Sequence, residues 1–232
     1  MIGVIAAAAG AAALFAATAI GTPVGTADKA AIEKVVRDYI LANPEILPQA
    51  MEVLQARESG KAVAANRAQI ETPYKGAWEG AADADVTLVQ FFDYACGYCR
   101  QSLPVIEQLL REDRRLRVVY REMPVLGPDS EAAARLSLKI ASTGQARYAE
   151  GHRALYSGGR PDMAARARVA ARFGVRGDAT DAAVEQELVN NQQLQNLLRI
   201  TGTPTWVVGD QVLGGAVGYD VLKAAVAKAR AR

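Results

Sequence analysis

The stretch "VTLVQFFDYACGYCRQSLP" (residues 86–104) decides the fold. Its first nine residues form a near-continuous run of β-branched and aromatic side chains, which is typical of a buried strand. The residues that follow favour a helix, which Pro104 is predicted to kink. The only two cysteines of the chain, Cys96 and Cys99, lie where the strand pattern gives way to the helix pattern. The stretch therefore predicts a strand–turn–helix unit with a cysteine pair at its turn.

The segments that follow extend this unit into an α/β fold. Residues 115–124, "RLRVVYREMP", predict a second strand that the helix connects to the first in a βαβ crossover. Residues 127–199 are helical in about four segments. Residues 203–215 predict a short hairpin, and residues 218–232 a closing helix. A sheet interrupted by a block of helices indicates an α/β fold with an inserted helical domain.

Composition restricts the function. Half of the 232 residues are hydrophobic and 22% are charged, as in an ordinary soluble globular protein. A net charge of +2 argues against nucleic acid as the main partner. Two cysteines are too few for a disulfide scaffold. The sequence shows no paired carboxylates with a partner histidine, no Ser-His-Asp arrangement and no phosphate-binding loop.

Residues 1–27 predict a secretory signal. An uncharged apolar run over residues 2–20 is followed by small-residue sites at 17–19 and 25–27. The run approaches the length of a bilayer span, so an uncleaved anchor is the alternative. Export would place the cysteines in an oxidising compartment, which we predict to be the periplasm.

Residues 28–58 predict two amphipathic helices. Asn43 before Pro44 suggests that the second helix is capped and restarts there. Short helices are marginal alone in water, so their apolar stripes need cover, from the same chain or from a second copy. Polar residues 59–78 then predict a linker to a catalytic domain over 79–232. Apolar residues recur at helical spacing in the first helix: Ile32, Val35, Val36, Tyr39 and Ile40.

The cysteine spacing favours redox chemistry. Residues three apart on a helix lie about 5–6 Å from each other, within the reach of a disulfide. The unpaired N–H groups and partial positive charge of a helix N-terminus favour a thiolate at Cys96. Cys96 is therefore predicted to attack and Cys99 to resolve the mixed disulfide. A zinc site, with only His152 left to help, and two inert buried thiols are the alternatives.

Five features together resemble the DsbA family of thioredoxin-fold oxidoreductases. They are "FFDYACGYC", Pro104, "REMPVLGPDS", the helical insertion and "TGTPTWVVG". The resemblance implies a thioredoxin fold. It also implies that Thr203 and Pro204 form a cis-proline loop that faces the cysteines and binds substrate backbone. Gly97 and Tyr98, between the cysteines, complete the predicted substrate-binding residues.

Residues 28–58 resemble the N-terminal segment of ScsC-type (suppressor of copper sensitivity C) members of that family. The resemblance implies that this segment self-associates into a homo-oligomer, with a trimer favoured.

The chain departs from the family pattern at two positions. The dipeptide between the cysteines lacks the histidine of strongly oxidising DsbA proteins. Gln90 stands where many members carry a buried acid that relays protons, and an amide cannot take a proton. For Asp93 we favour the role of a cap at the start of the helix over the role of a proton relay.

The predicted function is an exported enzyme that exchanges disulfides with cysteine-containing exported proteins, as an isomerase or reductase. A membrane redox partner would reset the cysteine pair, and no other cofactor or metal is predicted. Two alternatives remain: a monomeric DsbA-type dithiol oxidase, and a copper-binding module in which Cys96 and Cys99 hold Cu(I).

Overall fold

The computed structural model describes residues 26–176 and 181–231. The predicted signal segment, residues 1–27, lies outside them except for its last two residues. No helix among the described residues is both long enough and apolar enough to cross a bilayer. The elements in chain order are α1 (Thr26–Ala42), α2 (Ile46–Glu71), β1 (Trp78–Gly80), β2 (Val86–Phe92), α3 (Gly97–Glu112), β3 (Leu116–Glu122), α4 (Pro128–Ala141), α5 (Gln145–Ser157), α6 (Met163–Phe173), α7 (Ala182–Leu197), β4 (Thr205–Val208), β5 (Gln211–Gly214) and α8 (Tyr219–Arg230).

The described strands form one sheet in the order β1-β3-β2-β4-β5. The central strands β2 and β3 are parallel, with α3 as their connection. The strands β1, β4 and β5 pair antiparallel with their neighbours, and β4 and β5 form the predicted hairpin. The predicted α/β fold class is confirmed.

The strand β2 is buried along its whole length because both of its faces are covered. Alternate side chains of a strand point to opposite faces, and Leu88 and Phe92 belong to one core while Val89 and Phe91 belong to the other. The first core includes Cys96 and Cys99 together with residues of α3, α5 and α8. The sheet thus carries the cysteine pair on one face.

The predicted linker over residues 59–78 is wrong for its first part. The helix α2 continues to Glu71, and its side chains Val63 and Ile70 are fully buried in the second core. These two large apolar residues stand seven apart in a stretch that otherwise consists of alanine, glycine and polar residues, so the sequence shows no clear amphipathic stripe. The chain divides into two compact units between Ala50 and Met51, inside α2, and not after residue 58.

The predicted cap at Asn43 is also wrong. The helix α2 begins at Ile46, and the Asn43 side-chain amide donates to the carbonyl oxygen of Tyr39 at 2.9 Å. Asn43 therefore terminates α1 and does not start α2. The four helices α4 to α7 lie within the predicted insertion, residues 127–199.

Arg121, a buried residue of β3, connects three parts of the second compact unit, residues 51–232. Its guanidinium donates to Glu187 and Asn191 on α7. It also donates to the carbonyl oxygens of three residues at the end of α2, namely Gln69, Ile70 and Thr72. Burial lowers the pKa of Arg121, while the neighbouring Glu187 opposes that shift. This cation therefore holds α2 and α7 against the sheet.

Candidate active site

The cysteine pair lies at the turn from β2 into α3. Cys96 is the residue before the helix, with an extended backbone (φ −79°, ψ 116°), and no side chain caps the helix start by a hydrogen bond. The first backbone N–H groups of α3 therefore lie at the Cys96 end of the helix, without a side-chain acceptor from Cys96. This is the position that the sequence predicted for both cysteines.

The two free thiols differ in accessibility. Cys96 is 7% exposed and Cys99 is fully buried, so Cys96 is the more accessible thiol of the two. Burial raises the pKa of Cys99 to about 12, and the charge of Cys96 adds to this effect. Cys99 is therefore held as a neutral thiol, which suits a resolving role.

The loop at Thr203 and Pro204 covers Cys96. The peptide bond between these residues is cis, as predicted. The Cys96 thiol donates to the carbonyl oxygen of Thr203, 3.4 Å away. The Gly215 N–H donates to the Pro204 carbonyl at 2.8 Å and holds the loop in place. The fold thus brings together two segments that lie 107 residues apart.

Gly97 and Tyr98 form the outer side of the first turn of α3. Tyr98 is 64% exposed, and a methyl group built on Gly97 would meet no atom within 4 Å. The turn is therefore open beside Cys96. Their role in substrate binding stays a prediction.

Gln90 lies on the same face of β2 as Leu88 and Phe92, which belong to the core that includes both cysteines. It is almost fully buried, and its side-chain N–H group has no hydrogen-bond partner among the described residues. An amide cannot exchange protons with Cys99, so the position usual for the family's relay is not available here.

Asp93 does not cap α3, contrary to our interpretation. Its carboxylate accepts from the N–H of Ala95, before the helix, at 2.8 Å. It also accepts from Val125 at 2.8 Å and Leu126 at 3.0 Å, in the loop after β3. The carboxylate therefore joins two loops, a role that sequence reasoning missed because residues 93 and 125 belong to different elements.

The profile of the DSBA-like thioredoxin domain matches residues 87–227. This range holds β2, the cysteine pair and the loop at Pro204. The chain belongs to this family. It is accordingly a thiol-disulfide oxidoreductase of the DSBA-like type. The profile of the copper resistance protein ScsC N-terminal domain matches residues 28–59.

Solved structures agree with this DSBA-like assignment. A linker-deletion mutant of Proteus mirabilis ScsC is 28% identical, with a TM-score of 0.73 over 91% of this chain and 99% of that one. A periplasmic thioredoxin-like protein from Salmonella enterica serovar Typhimurium is 26% identical, with a TM-score of 0.66 over 72% of this chain and 96% of that one.

One curated relative is much longer than this chain. A Na(+)/H(+) antiporter, NhaA 1 of Salinispora arenicola, is 27% identical over 156 residues, which is 65% of this chain. The DSBA-like chain spans only 24% of that antiporter's length. The partial match therefore gives no ground for assigning the antiporter's ion transport to this chain.

The DSBA-like domain contains an aromatic cluster around His152. Its ring centroid lies 4.5–5.6 Å from those of five residues: Phe92, Tyr94, Tyr120, Tyr148 and Tyr156. Burial lowers the pKa of His152 to about 3. His152 is therefore an uncharged core residue that packs among these rings. No group of three or more His, Cys, Asp or Glu side chains suited to a metal occurs in the described parts of the chain.

A hydrogen-bonded chain leads from this cluster to a buried acid. Tyr94 Oη lies 2.8 Å from His152 Nδ1 and 2.7 Å from Ser137 Oγ. The Ser137 hydroxyl donates to Glu122 at 2.9 Å. Burial raises the pKa of Glu122 to about 8. Glu122 is the last residue of the predicted strand β3, and an acid at the end of a buried strand could have indicated this site. The sequence analysis missed it.

Glu122 predicts a pH dependence of stability. Its folded-state pKa lies above the unfolded value of 4.5, so the folded form holds an extra proton between about pH 4.5 and 8. Stability from this group is present below that window and is lost as the pH rises through it. Glu122→Gln cannot ionise, so its stability relative to the parent should increase from pH 5 to pH 8.

Urea unfolding of both proteins at the two pH values measures this difference. His152 contributes equally to the pH dependence of stability in the parent and in the variant, so its contribution cancels in the difference between them. Exposed Glu150→Gln is the control and should show little change with pH. An equal parent–variant difference at pH 5 and pH 8 for Glu122→Gln would contradict the prediction.

Proposed function

We propose that this chain exchanges disulfides with cysteine-containing exported proteins through Cys96 and Cys99, as a disulfide isomerase or reductase. The observation that carries the proposal is the 3.4 Å contact between Cys96 Sγ and the Thr203 carbonyl. A substrate backbone that binds along the loop at Thr203 would present its disulfide to the accessible thiol. Export to the periplasm is supported by the predicted signal and by the periplasmic Salmonella relative.

The exchange proceeds in balanced steps. The Cys96 thiolate attacks one sulfur of a substrate disulfide and forms a mixed disulfide, and the other substrate sulfur leaves as a thiolate. In isomerisation that thiolate attacks a second substrate disulfide, and a later substrate thiolate displaces Cys96. In reduction Cys99 attacks the Cys96 sulfur, which releases the substrate as a thiol and leaves a Cys96–Cys99 disulfide for a membrane partner to reduce.

The environment of Cys99 favours isomerisation. Its pKa of about 12 keeps the resolving thiolate scarce, and Gln90 cannot take its proton. Slow resolution leaves time for substrate thiolates to attack the mixed disulfide. In the mixed disulfide Cys96 carries no charge, so one cause of the high Cys99 pKa is removed and resolution remains attainable.

The N-terminal segment supports a multi-copy enzyme. The side chains of Ile32, Val36 and Tyr39 on α1 are each more than half exposed. An isolated stripe of this kind is poorly stable in water, and we assign a second copy of the segment as its cover, with a trimer favoured. The match of residues 28–59 to the ScsC N-terminal domain supports this assignment. Neighbouring Cys96 thiols raise the effective concentration for repeated attack on one substrate.

Polar substitution of the stripe tests both parts of the proposal. Ile32→Ser/Val36→Ser/Tyr39→Ser in the full chain should give a monomer by light scattering. Refolding of a protein with scrambled disulfides should slow by about tenfold, because the second attack loses the high effective concentration of neighbouring Cys96 thiols. Reduction of a small disulfide should change little.

The control is Lys34→Ser/Asp38→Ser, which removes an exposed ion pair on the same helix. It should keep the mass and the activity of the parent.

A parent that is monomeric and that oxidises dithiols better than it refolds scrambled protein would move the proposal to a DsbA-type oxidase. The profile that matches residues 28–59 is described as that of a copper resistance protein, which raises the copper-binding alternative. Binding of one equivalent of Cu(I) to the reduced protein, and its loss in Cys96→Ser, would favour that alternative.

A further inference from the structure

The end of α5 is bonded to the chain on both sides of the cysteine pair. The Tyr156 hydroxyl donates to the carbonyl oxygen of Asp93, just before the cysteine turn, at 3.2 Å. The Arg100 guanidinium, just after the pair, donates to the carbonyl oxygen of Gly159, in the loop that follows α5. The helical insertion, which contains α5, is therefore bonded to both edges of the cysteine turn.

The backbone of Asp93 is the point where this connection reaches both cysteines. The carbonyl oxygen that accepts from Tyr156 also accepts from the N–H of Cys96, at 3.1 Å. Burial raises the pKa of the Cys99 thiol, and a hydrogen bond from the Asp93 backbone opposes that shift. The phenol on α5 and the two cysteines thus share the backbone of one residue.

Tyr156 is enclosed in the same core as both thiols. It is 2% exposed, and its ring centroid lies 4.8 Å from that of Tyr94 and 5.2 Å from that of His152. Burial raises the pKa of Tyr156 well above its usual value, and the charge of Cys99 adds to this shift. The phenol therefore keeps its proton as a hydrogen-bond donor, and it lies close enough to Cys99 to interact with its charge.

We propose that Tyr156 is a positioning residue for Cys99, because it holds the Asp93 backbone where that backbone favours the resolving thiolate. The inference rests on the proposed exchange at Cys96 and adds a contribution of the helical insertion to its second step. In that step Cys99 loses its proton and its sulfur attacks Cys96 Sγ, while the bond between Cys96 and the substrate breaks. The substrate sulfur leaves with the bonding pair and takes up the proton.

The two steps of exchange depend on Tyr156 to different degrees. Cys96 keeps its place before the helix start and its contact with the Thr203 carbonyl whether or not the phenol is present. Cys99 is fully buried, so its thiolate depends on hydrogen bonds from protein groups. A less firmly held Asp93 backbone therefore slows resolution and leaves the first attack nearly unchanged.

Tyr156→Phe removes the donor and keeps the ring in the core. The probe is the aromatic disulfide dithiobis(nitrobenzoate), whose thiolate is coloured, mixed with the reduced full chain. Attack by Cys96 releases the first coloured thiolate, and resolution by Cys99 releases the second. In Tyr156→Phe the second phase should slow by about fivefold, the effect of one hydrogen bond, while the first changes by less than about twofold.

Tyr148→Phe is the matched control. Tyr148 is a fully buried tyrosine of the same helix, and its hydroxyl donates to Glu122 and not to the cysteine turn. This variant should leave both phases at the parent rates. Cys99→Ser should lack the second phase, which identifies that phase as resolution.

An equal slowing of both phases in Tyr156→Phe would show a general loosening of the cysteine turn and overturn the inference. An unchanged second phase overturns it as well, and so does an equal effect of Tyr148→Phe. A parent chain that shows both phases but leaves every protein disulfide intact contradicts the proposed function, which separates that failure from failure of the role of Tyr156.

Discussion

Cys96→Ser is expected to abolish disulfide exchange, whereas Cys99→Ser should still attack substrates and accumulate mixed disulfides with them. Cys96 lies at the start of α3 and is the accessible thiol, so its loss removes the nucleophile, and the rate should fall by about 10³-fold or more. Cys99 is fully buried and, in the proposed exchange, is the thiol that resolves the intermediate. Serine at that position cannot displace a sulfur, so the mixed disulfide persists.

Mass spectrometry of protein bound to a scrambled substrate measures the trapped species. Alkylation of the reduced protein at mildly acidic pH compares the two thiols directly. Cys96 should react first because burial keeps Cys99 protonated. The double variant is the control and should trap nothing. Faster alkylation of Cys99 would reverse the assigned roles.

Arg121→Ala is expected to lower the free energy of unfolding by about 3–5 kcal/mol, the range for breaking a buried ion pair. The substitution leaves Glu187 buried without its cation and removes the donor to three carbonyl oxygens at the end of α2. Both α2 and α7 lose their anchor on β3. Urea unfolding of the full chain gives the difference.

Two further variants sharpen this measurement. Arg115→Ala breaks an exposed pair with Asp85 and should lower the free energy of unfolding far less than Arg121→Ala does. Arg121→Met/Glu187→Leu should recover much of the loss, because it removes the uncompensated charge as well as the pair. If Arg121→Ala costs no more than Arg115→Ala, the anchoring role is wrong.

Local sequence patterns predicted β2, α3 and the positions of the cysteines correctly. The run over residues 86–92 is apolar throughout, except for Thr87 and Gln90, because the strand is covered on both faces. The transition to a helix at Gly97 follows within a few residues. Signals of this kind act over one or two turns of chain, where the backbone preference of each residue and the spacing of apolar side chains decide the structure.

The same approach failed for the second half of α2. Val63 and Ile70 are the buried residues of that helix, and a stripe of only two side chains resembles the polar background of a linker. The helix gains its stability from the sheet face it covers, in particular from Val89 and Phe91 in the same core. Tertiary packing therefore decided an element whose own sequence is nearly neutral.

The sequence by itself determined the fold class, the order of the elements from β2 to α8, and the placement of Cys96 and Cys99 at a helix start. It did not reveal the short strand β1. The contact between Cys96 and Thr203 was available only through resemblance to a family. Only the tertiary structure decided three sets of hydrogen bonds. They join Asp93 to the loop at Val125, Arg121 to Glu187, and Glu122 to His152 through Ser137 and Tyr94. The physical reason is distance along the chain: a single polar side chain carries no periodicity, and its partner is chosen only when strands and helices from remote segments pack and leave a buried group to be satisfied.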